Sequence, residues 1–206
     1  MKKLPLIALL SLSLTLAWGD DLVTNDGKTY AEYNVVSHDA DGISIWYKGG
    51  QATIPFDNLP VNIQKDYGYK PKEIDWKTDY DAAVQEAKAN KKLLLLDFTG
   101  SDWCGYCQLL DKEVFPTEAF KAFARANFVC VTLDFPHGKE LSSALKKQND
   151  ALKQKYDVRG FPSLVVIDTD GKELGRTTGY NPGSGPEAVI SELKPFLSAS
   201  ETPSAK

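Results

Sequence analysis

Cys104 and Cys107 stand two residues apart in Trp103-Cys104-Gly105-Tyr106-Cys107, directly after the apolar run Leu93-Leu94-Leu95-Leu96-Asp97-Phe98. Two thiols at this spacing can close into a disulfide and reopen. At i and i+3 of a helix their side chains share one face and come within bonding range. In the first turn of a helix the earlier sulfur meets unpaired backbone N–H groups and the positive end of the helix dipole, and both favour thiolate over thiol. A free cysteine titrates at about 8.5, and such a site lowers that value into or below the neutral range. Thiolate attacks disulfides, and exchange passes through a mixed disulfide, so the second thiol must wait close by and lose its proton. Asp97, at the end of the apolar run, is the candidate relay for that proton, because a buried carboxyl has a raised pKa suited to acid–base work.

These residues need a strand ending and a helix beginning at the pair. Residues 92–98 read as a buried strand, and a helix is expected from about Cys104 to Val114. Upstream, Tyr80, Ala83, Val84 and Ala87 have helical spacing, closed by Asn90 and two lysines. Downstream, Pro116-Thr117-Glu118 opens a helical piece with Phe120, Phe123 and Ala124 on one face, and residues 128–133 form a β-rich apolar run. Residues 139–157 are expected to be helical, and residues 163–168 and 173–178 to be strands joined at Asp170-Gly171. Ser184-x-x-Glu187 has the form of a capping box for a last helix bearing Val189, Ile190, Leu193 and Phe196. Residues 22–60 have a different texture. Short β-rich segments there, with Ile43, Ile45 and Tyr47 alternating with Ser44 and Trp46, are separated by turn signals at Asn25-Asp26-Gly27, Asp39-Ala40-Asp41-Gly42 and Gly49-Gly50.

Lys2 and Lys3, the mostly apolar stretch Leu4–Leu16 and the small residues Ala17 and Gly19 form a secretory signal peptide with cleavage expected after Gly19. The expected location is periplasmic or secreted, with no stable membrane insertion after cleavage. Losing residues 1–19 removes two lysines and no acid, taking the formal charge from −4 to −6. An acidic chain without a basic stripe is a poor match for nucleic acid. Three cysteines in an exported chain are too few for a disulfide-stapled scaffold, so one close pair is read as chemical.

The order helix, strand, dithiol helix, helix, strand, helix, strand, strand, helix, taken with WCGYC and the later Arg159-Gly160-Phe161-Pro162-Ser163, resembles the thioredoxin superfamily over roughly residues 73–197. The segment DFTGSDWCGYC is similar to exported thioredoxin-like proteins whose catalytic domains resemble the C-terminal domain of the bacterial transmembrane thiol–disulfide interchange reductase. The resemblance implies an α/β, three-layer thioredoxin-like fold with a central mixed sheet. It assigns attack to Cys104, resolution to Cys107, and contact with extended substrate backbone to a cis Pro162. Trp103, Gly105, Tyr106, Phe161 and Pro162 are the implied substrate-binding set. Asp97 lies seven residues before Cys104, one more than the buried acid of thioredoxins, so the mapping requires a one-residue insertion. Gly105-Tyr106 replaces the Gly-Pro of thioredoxin and also occurs in a bacterial periplasmic disulfide isomerase, which leaves the redox direction open. Phe161 is bulkier than the family's usual residue before the proline.

The expected organisation is therefore a signal peptide (1–19), a small all-β, SH3-like N-terminal domain (20–65), a linker (66–76), a thioredoxin-like domain (77–197) and a disordered tail (198–206). The expected function is exchange with protein disulfides, as a reductase or isomerase rather than an oxidase. No cofactor is expected beyond the redox-active Cys104–Cys107 disulfide, and no metal. Expected partners are protein thiols or disulfides and a redox partner, with dimerisation through the N-terminal domain as a further expectation. The alternatives are a metal-binding or partner-binding module on the same scaffold. Cys130, between Val129 and Val131, reads as a small buried hydrophobe, and His38 and His137 as surface loop residues.

Overall fold

The computed structural model describes residues 20–198. The expected signal peptide lies outside the described residues, as does the expected tail apart from Ser198, which closes the last helix. Nine strands and six helices follow one another among the described residues. Strands β1 (Leu22–Val23), β2 (Thr29–Tyr30), β3 (Asn34–His38), β4 (Gly42–Tyr47) and β5 (Gly50–Pro55) come first. A 3-10 turn (Phe56–Asn58) and helix α1 (Val61–Asp66) complete this N-terminal unit. The second part runs α2 (Tyr80–Asn90), β6 (Leu93–Thr99), α3 (Gly105–Glu113), α4 (Glu118–Asn127), β7 (Phe128–Asp134), α5 (Ser143–Lys155), β8 (Ser163–Ile167), β9 (Glu173–Thr178) and α6 (Gly185–Ser198).

The larger sheet has the order β7-β6-β8-β9, with β6 parallel to β7 and antiparallel to β8, and β8 antiparallel to β9. It is therefore a mixed sheet. Helices cover both faces, which explains the nearly unbroken apolar reading of β6. Leu94, Leu96 and Phe98 pack with Ala83 and Ala87 of α2 and Leu152 of α5. Leu95 points the other way, into a cluster with Leu110 of α3, Phe120 and Phe123 of α4, and Leu193 of α6. Strand alternation puts Asp97 and Thr99 on the Leu95 face, beneath α3.

Helix starts follow from local chemistry. The side chains of Asp79, Thr117 and Ser142 accept the backbone N–H three residues on, capping α2, α4 and α5. The cap at Ser142 also shortens the expected 139–157 helix: residues 139–142 belong to a loop, because Ser142 is extended and starts α5 only after it.

In the N-terminal unit β1 pairs with β2, and β3, β4 and β5 form an antiparallel sheet. Ile43 and Ile45 enter a small core with Leu22, Tyr30, Ile54, Phe56 and Leu59, while Trp46 on the opposite face is half exposed. Two findings depart from the sequence reading. Residues 61–66 form helix α1, stabilised through Gln64, whose buried amide donates to the carbonyls of Phe56 and Leu59. Residues 66–76, read as a linker, are packed: Tyr69 stacks on Phe56 at 4.8 Å and Trp76 meets Phe115 at 4.8 Å. The aromatics that read as loop composition are bridging core.

The unit docks on α4. Arg125 donates two hydrogen bonds to Asp57 Oδ2, at 3.0 and 2.8 Å, and Asn127 donates to the Asn25 carbonyl at 3.1 Å. Asn127 directly precedes Phe128, which registers with Leu93 at the start of β6. The dithiol follows the other end of β6, so seven residues of strand, about 20 Å, separate the docking end from the redox end.

Candidate active site

β6 ends at Thr99, and Gly100-Ser101-Asp102-Trp103 forms a turn before α3. The amides of Trp103 and Cys104 both donate to the Gly100 carbonyl, at 3.2 and 2.8 Å. Ser101 is pinned to β7, its N–H and hydroxyl donating to the Asp134 carboxylate at 2.9 and 2.7 Å. Gly100 is needed for closeness: a Cβ there would lie 2.5 Å from Cε2 of the Trp103 indole.

Cys104 is the N-cap of α3, and its sulfur accepts the Cys107 N–H at 3.2 Å. The two cysteines form a disulfide, with Cα atoms 5.2 Å apart. Both cysteines are buried, Cys104 retaining 6% of its exposure and Cys107 1%, so Cys104 is the more accessible residue of the pair. Gly105 and Tyr106 form the first turn of α3, with Tyr106 largely exposed. Trp103, 43% exposed, touches Phe161 edge-on at 5.8 Å. That contact brings the Phe161–Pro162 segment beside the redox turn. The Phe161–Pro162 peptide is cis, and the Pro162 carbonyl accepts the Gly179 N–H at 2.8 Å.

Asp97 is 3% exposed, and neither its Oδ1 nor the Thr99 hydroxyl has a hydrogen-bond partner among the described residues. Burial pushes its carboxyl well above the usual carboxylate range, and the nearby carboxylates of Asp111 and Asp134 push it further. Asp111 lies one turn after Cys107 on α3, and partial desolvation followed by Asp134 raises it too. Asp134 is held low: burial pushes it up, but hydrogen bonds from Ser101 and the Lys139 ion pair at 3.0 Å outweigh that. Sequence reasoning missed both neighbours. Asp111 was legible as the i+4 partner of Cys107. Asp134 was not, because it reaches the site through its register with Thr99.

Other residues take plainer places. Cys130 is buried and its thiol is raised, mainly by burial. His38 is on strand β3, not a loop, with its ring 4.9 Å from that of Tyr67. His137 is exposed and stacked on Trp103. Among the described residues no three His, Cys, Asp or Glu side chains gather to hold a metal ion, and no helix is long and apolar enough to cross a membrane.

Residues 80–194, which hold the mixed sheet between two helical layers and the CxxC pair at the first turn of the helix after β6, match the family model for the thioredoxin-like domain. The chain belongs to the thioredoxin-like family. With a closable dithiol at that position it is a thiol–disulfide oxidoreductase. This thioredoxin-like chain is 35% identical over 136 residues to the disulfide bond reductase DsbH of Chlamydia pneumoniae, an alignment covering 66% of this chain and 80% of that protein. It is 32% identical over 116 residues to the thioredoxin-related protein DsbJ of the same organism, covering 53% of this chain but 33% of DsbJ. The solved structure of a DsbH oxidoreductase aligns with a TM-score of 0.58 at 35% identity, covering 63% of this chain and 88% of that one.

Proposed function

We propose that this protein is exported and reduces or isomerises disulfides of other proteins through Cys104 and Cys107. The observation that carries this reading is the placement of the Cys104 sulfur at the N-cap of α3, above Cys107 and over a face that holds the buried Asp97. Once the pair is reduced, the helix N-terminus favours a Cys104 thiolate. That thiolate attacks one sulfur of a substrate disulfide, forming a mixed disulfide and expelling the other substrate sulfur as a thiolate. Asp97 takes the proton of Cys107, whose thiolate attacks the Cys104 sulfur and releases the second substrate thiol. Two electrons pass to the substrate, and the protein is left with its disulfide closed. A separate dithiol reductant must reopen it, so a redox partner is part of the proposal. Isomerisation differs in that the released substrate thiolate attacks another disulfide of the same substrate, and the thiolate freed there attacks the substrate sulfur of the mixed disulfide, expelling Cys104 as thiolate with no net transfer of electrons.

Trp103, Gly105, Tyr106, Phe161 and Pro162 are proposed as the substrate-contacting set, because the Trp103–Phe161 contact joins the redox turn to the cis-proline segment. The proposal of export is supported by the charge and apolar pattern of residues 1–19. The proposed dimer uses β3, an edge strand exposed along its whole length beside the half-exposed Trp46. Sedimentation of the mature chain tests this, and a monomeric mass at all concentrations would remove it.

The test of the exchange reading is insulin reduction by dithiothreitol. The mature chain should accelerate precipitation, and in a separate reaction free of dithiothreitol pre-reduced Cys107→Ser should trap a mixed disulfide with insulin that dissolves on adding reductant. Wild-type rates equal to those of Cys104→Ser would overturn the reading.

A further inference from the structure

The loop 135–142 joins β7 to α5, and the exchange steps make no use of it. Yet it grips the two residues just before the redox pair. The Asp102 carboxylate accepts the His137 N–H at 3.0 Å and the Gly138 N–H at 2.6 Å. These backbone donors hold the Asp102 carboxyl below the usual range, so it stays ionised and gripping. The Trp103 indole N–H donates to the Phe135 carbonyl at 2.8 Å. The His137 imidazole lies flat on the indole, with centroids 4.6 Å apart and planes at 6°.

The rings continue inward. Phe161 meets Trp103 edge-on and Phe135 in a stack at 5.2 Å. The Lys153 ammonium lies over both phenyl rings, at 5.2 and 5.1 Å, so part of that pair's aromatic surface already has a cation on it. Trp103 and His137 remain open to solvent, and His137 also borders a cavity of about 420 Å³ whose lining is mixed, with Phe135, Pro136 and Leu141 beside charged residues such as Lys139 and Asp150, so the apolar contact rests on the two exposed rings and not on the cavity. An open, oriented aromatic surface beside a reactive sulfur is suited to receive a ring or branched aliphatic side chain.

We propose that His137 is a specificity-determining residue, forming with Trp103 a two-ring shelf that receives an apolar or aromatic side chain flanking the cysteine of an extended protein substrate. Asp102 acts as a positioning residue, holding the loop so that the imidazole covers the indole. The proposal rests on the disulfide-exchange reading above, and its test separates the two.

The experiment compares two disulfide-linked peptides, one with phenylalanine and one with serine beside the cysteine, and a small aromatic disulfide that needs no docking. In wild type the phenylalanine peptide should have the lower KM. His137→Ala should raise that KM about 3- to 10-fold, the size of one aromatic contact. It should leave kcat and the rate with the small disulfide unchanged. His137→Phe, which keeps a flat ring, should restore the low KM, and Asp102→Ala should behave like His137→Ala. Equal losses on all three substrates, or no rescue by His137→Phe, would overturn the proposal. A second measurement does not depend on exchange: peptides with serine in place of the cysteine, titrated against the change in tryptophan fluorescence. Equal affinity for the two would overturn the shelf even if exchange is active, whereas a preference without turnover would leave the shelf standing and remove the exchange chemistry.

Discussion

At the start of β6, where the N-terminal unit docks, polar groups meet across the boundary with partners. Arg125 grips Asp57, Tyr69 donates to the same carboxylate at 2.8 Å, and Asn127 reaches the Asn25 carbonyl. Burial, then that hydrogen bond, pushes the Tyr69 phenol up to about 12, so it stays a donor. At the far end of the same strand, Asp97 Oδ1 and the Thr99 hydroxyl are buried without a partner among the described residues, and Asp97 lies near two further acids. A buried polar group that has its partners stabilises a structure. One that lacks them costs stability; Gln64 Oε1 in the N-terminal unit is a third such atom among the described residues, and of the three only the Asp97 carboxyl is a titratable group. On the proposed reading, one strand carries a structural end and a chemical end.

The sharpest way to break this contrast is Cys104→Ser, which should lower insulin reduction at least about 1000-fold while leaving the thermal midpoint of the reduced proteins unchanged. Loss of folding instead would mean that the chemical end is structural too. Next comes Asp97→Asn, expected to slow turnover about 10- to 100-fold. Its effect on stability has the opposite sign. The carboxyl is raised in the folded state, so wild-type stability is fullest below about pH 4 and falls as pH rises from there through the folded value. Asp97→Asn removes that loss, and its midpoint should exceed that of wild type by more at pH 8 than at pH 5. A destabilised variant at pH 8 would show Asp97 to be a structural acid.

Asp57→Ala probes the other end. It leaves a half-buried Arg125 and the Tyr69 hydroxyl without their acceptor, which should cost about 1–2 kcal/mol after allowing for solvent screening. The midpoint should fall by about 3–6 °C, with kcat/KM unchanged. A matching loss of activity would show that the two ends communicate. The smallest effect is expected from Asp111→Asn. Removing a like charge beside Asp97 should move the pH–rate profile to lower pH, and an unchanged profile would show that the two acids do not interact.

The dithiol, the strand before it and the helix after it were legible because they are local. A run of leucines, two cysteines at helical spacing and the alternation of Ile43 and Ile45 each state their periodicity within a few residues. The packing of residues 66–76 was not legible, since Gly, Pro and charge read as a loop while Tyr69 and Trp76 find Phe56 and Phe115 from distant parts of the chain. Helix α1 was missed for a similar reason: its six residues carry little pattern, and Gln64 anchors it through the Phe56 and Leu59 carbonyls.

By itself the sequence determined that two sulfurs would share one face of a helix at the end of a buried strand, because covalent spacing and helix geometry permit little else. Tertiary structure alone decided that Cys104 is the more accessible residue of the pair, that Asp97 keeps company with Asp111 and Asp134, and that His137 lies on Trp103. Those relations are set by strand register and by how a loop folds back, and both depend on contacts between residues far apart along the chain.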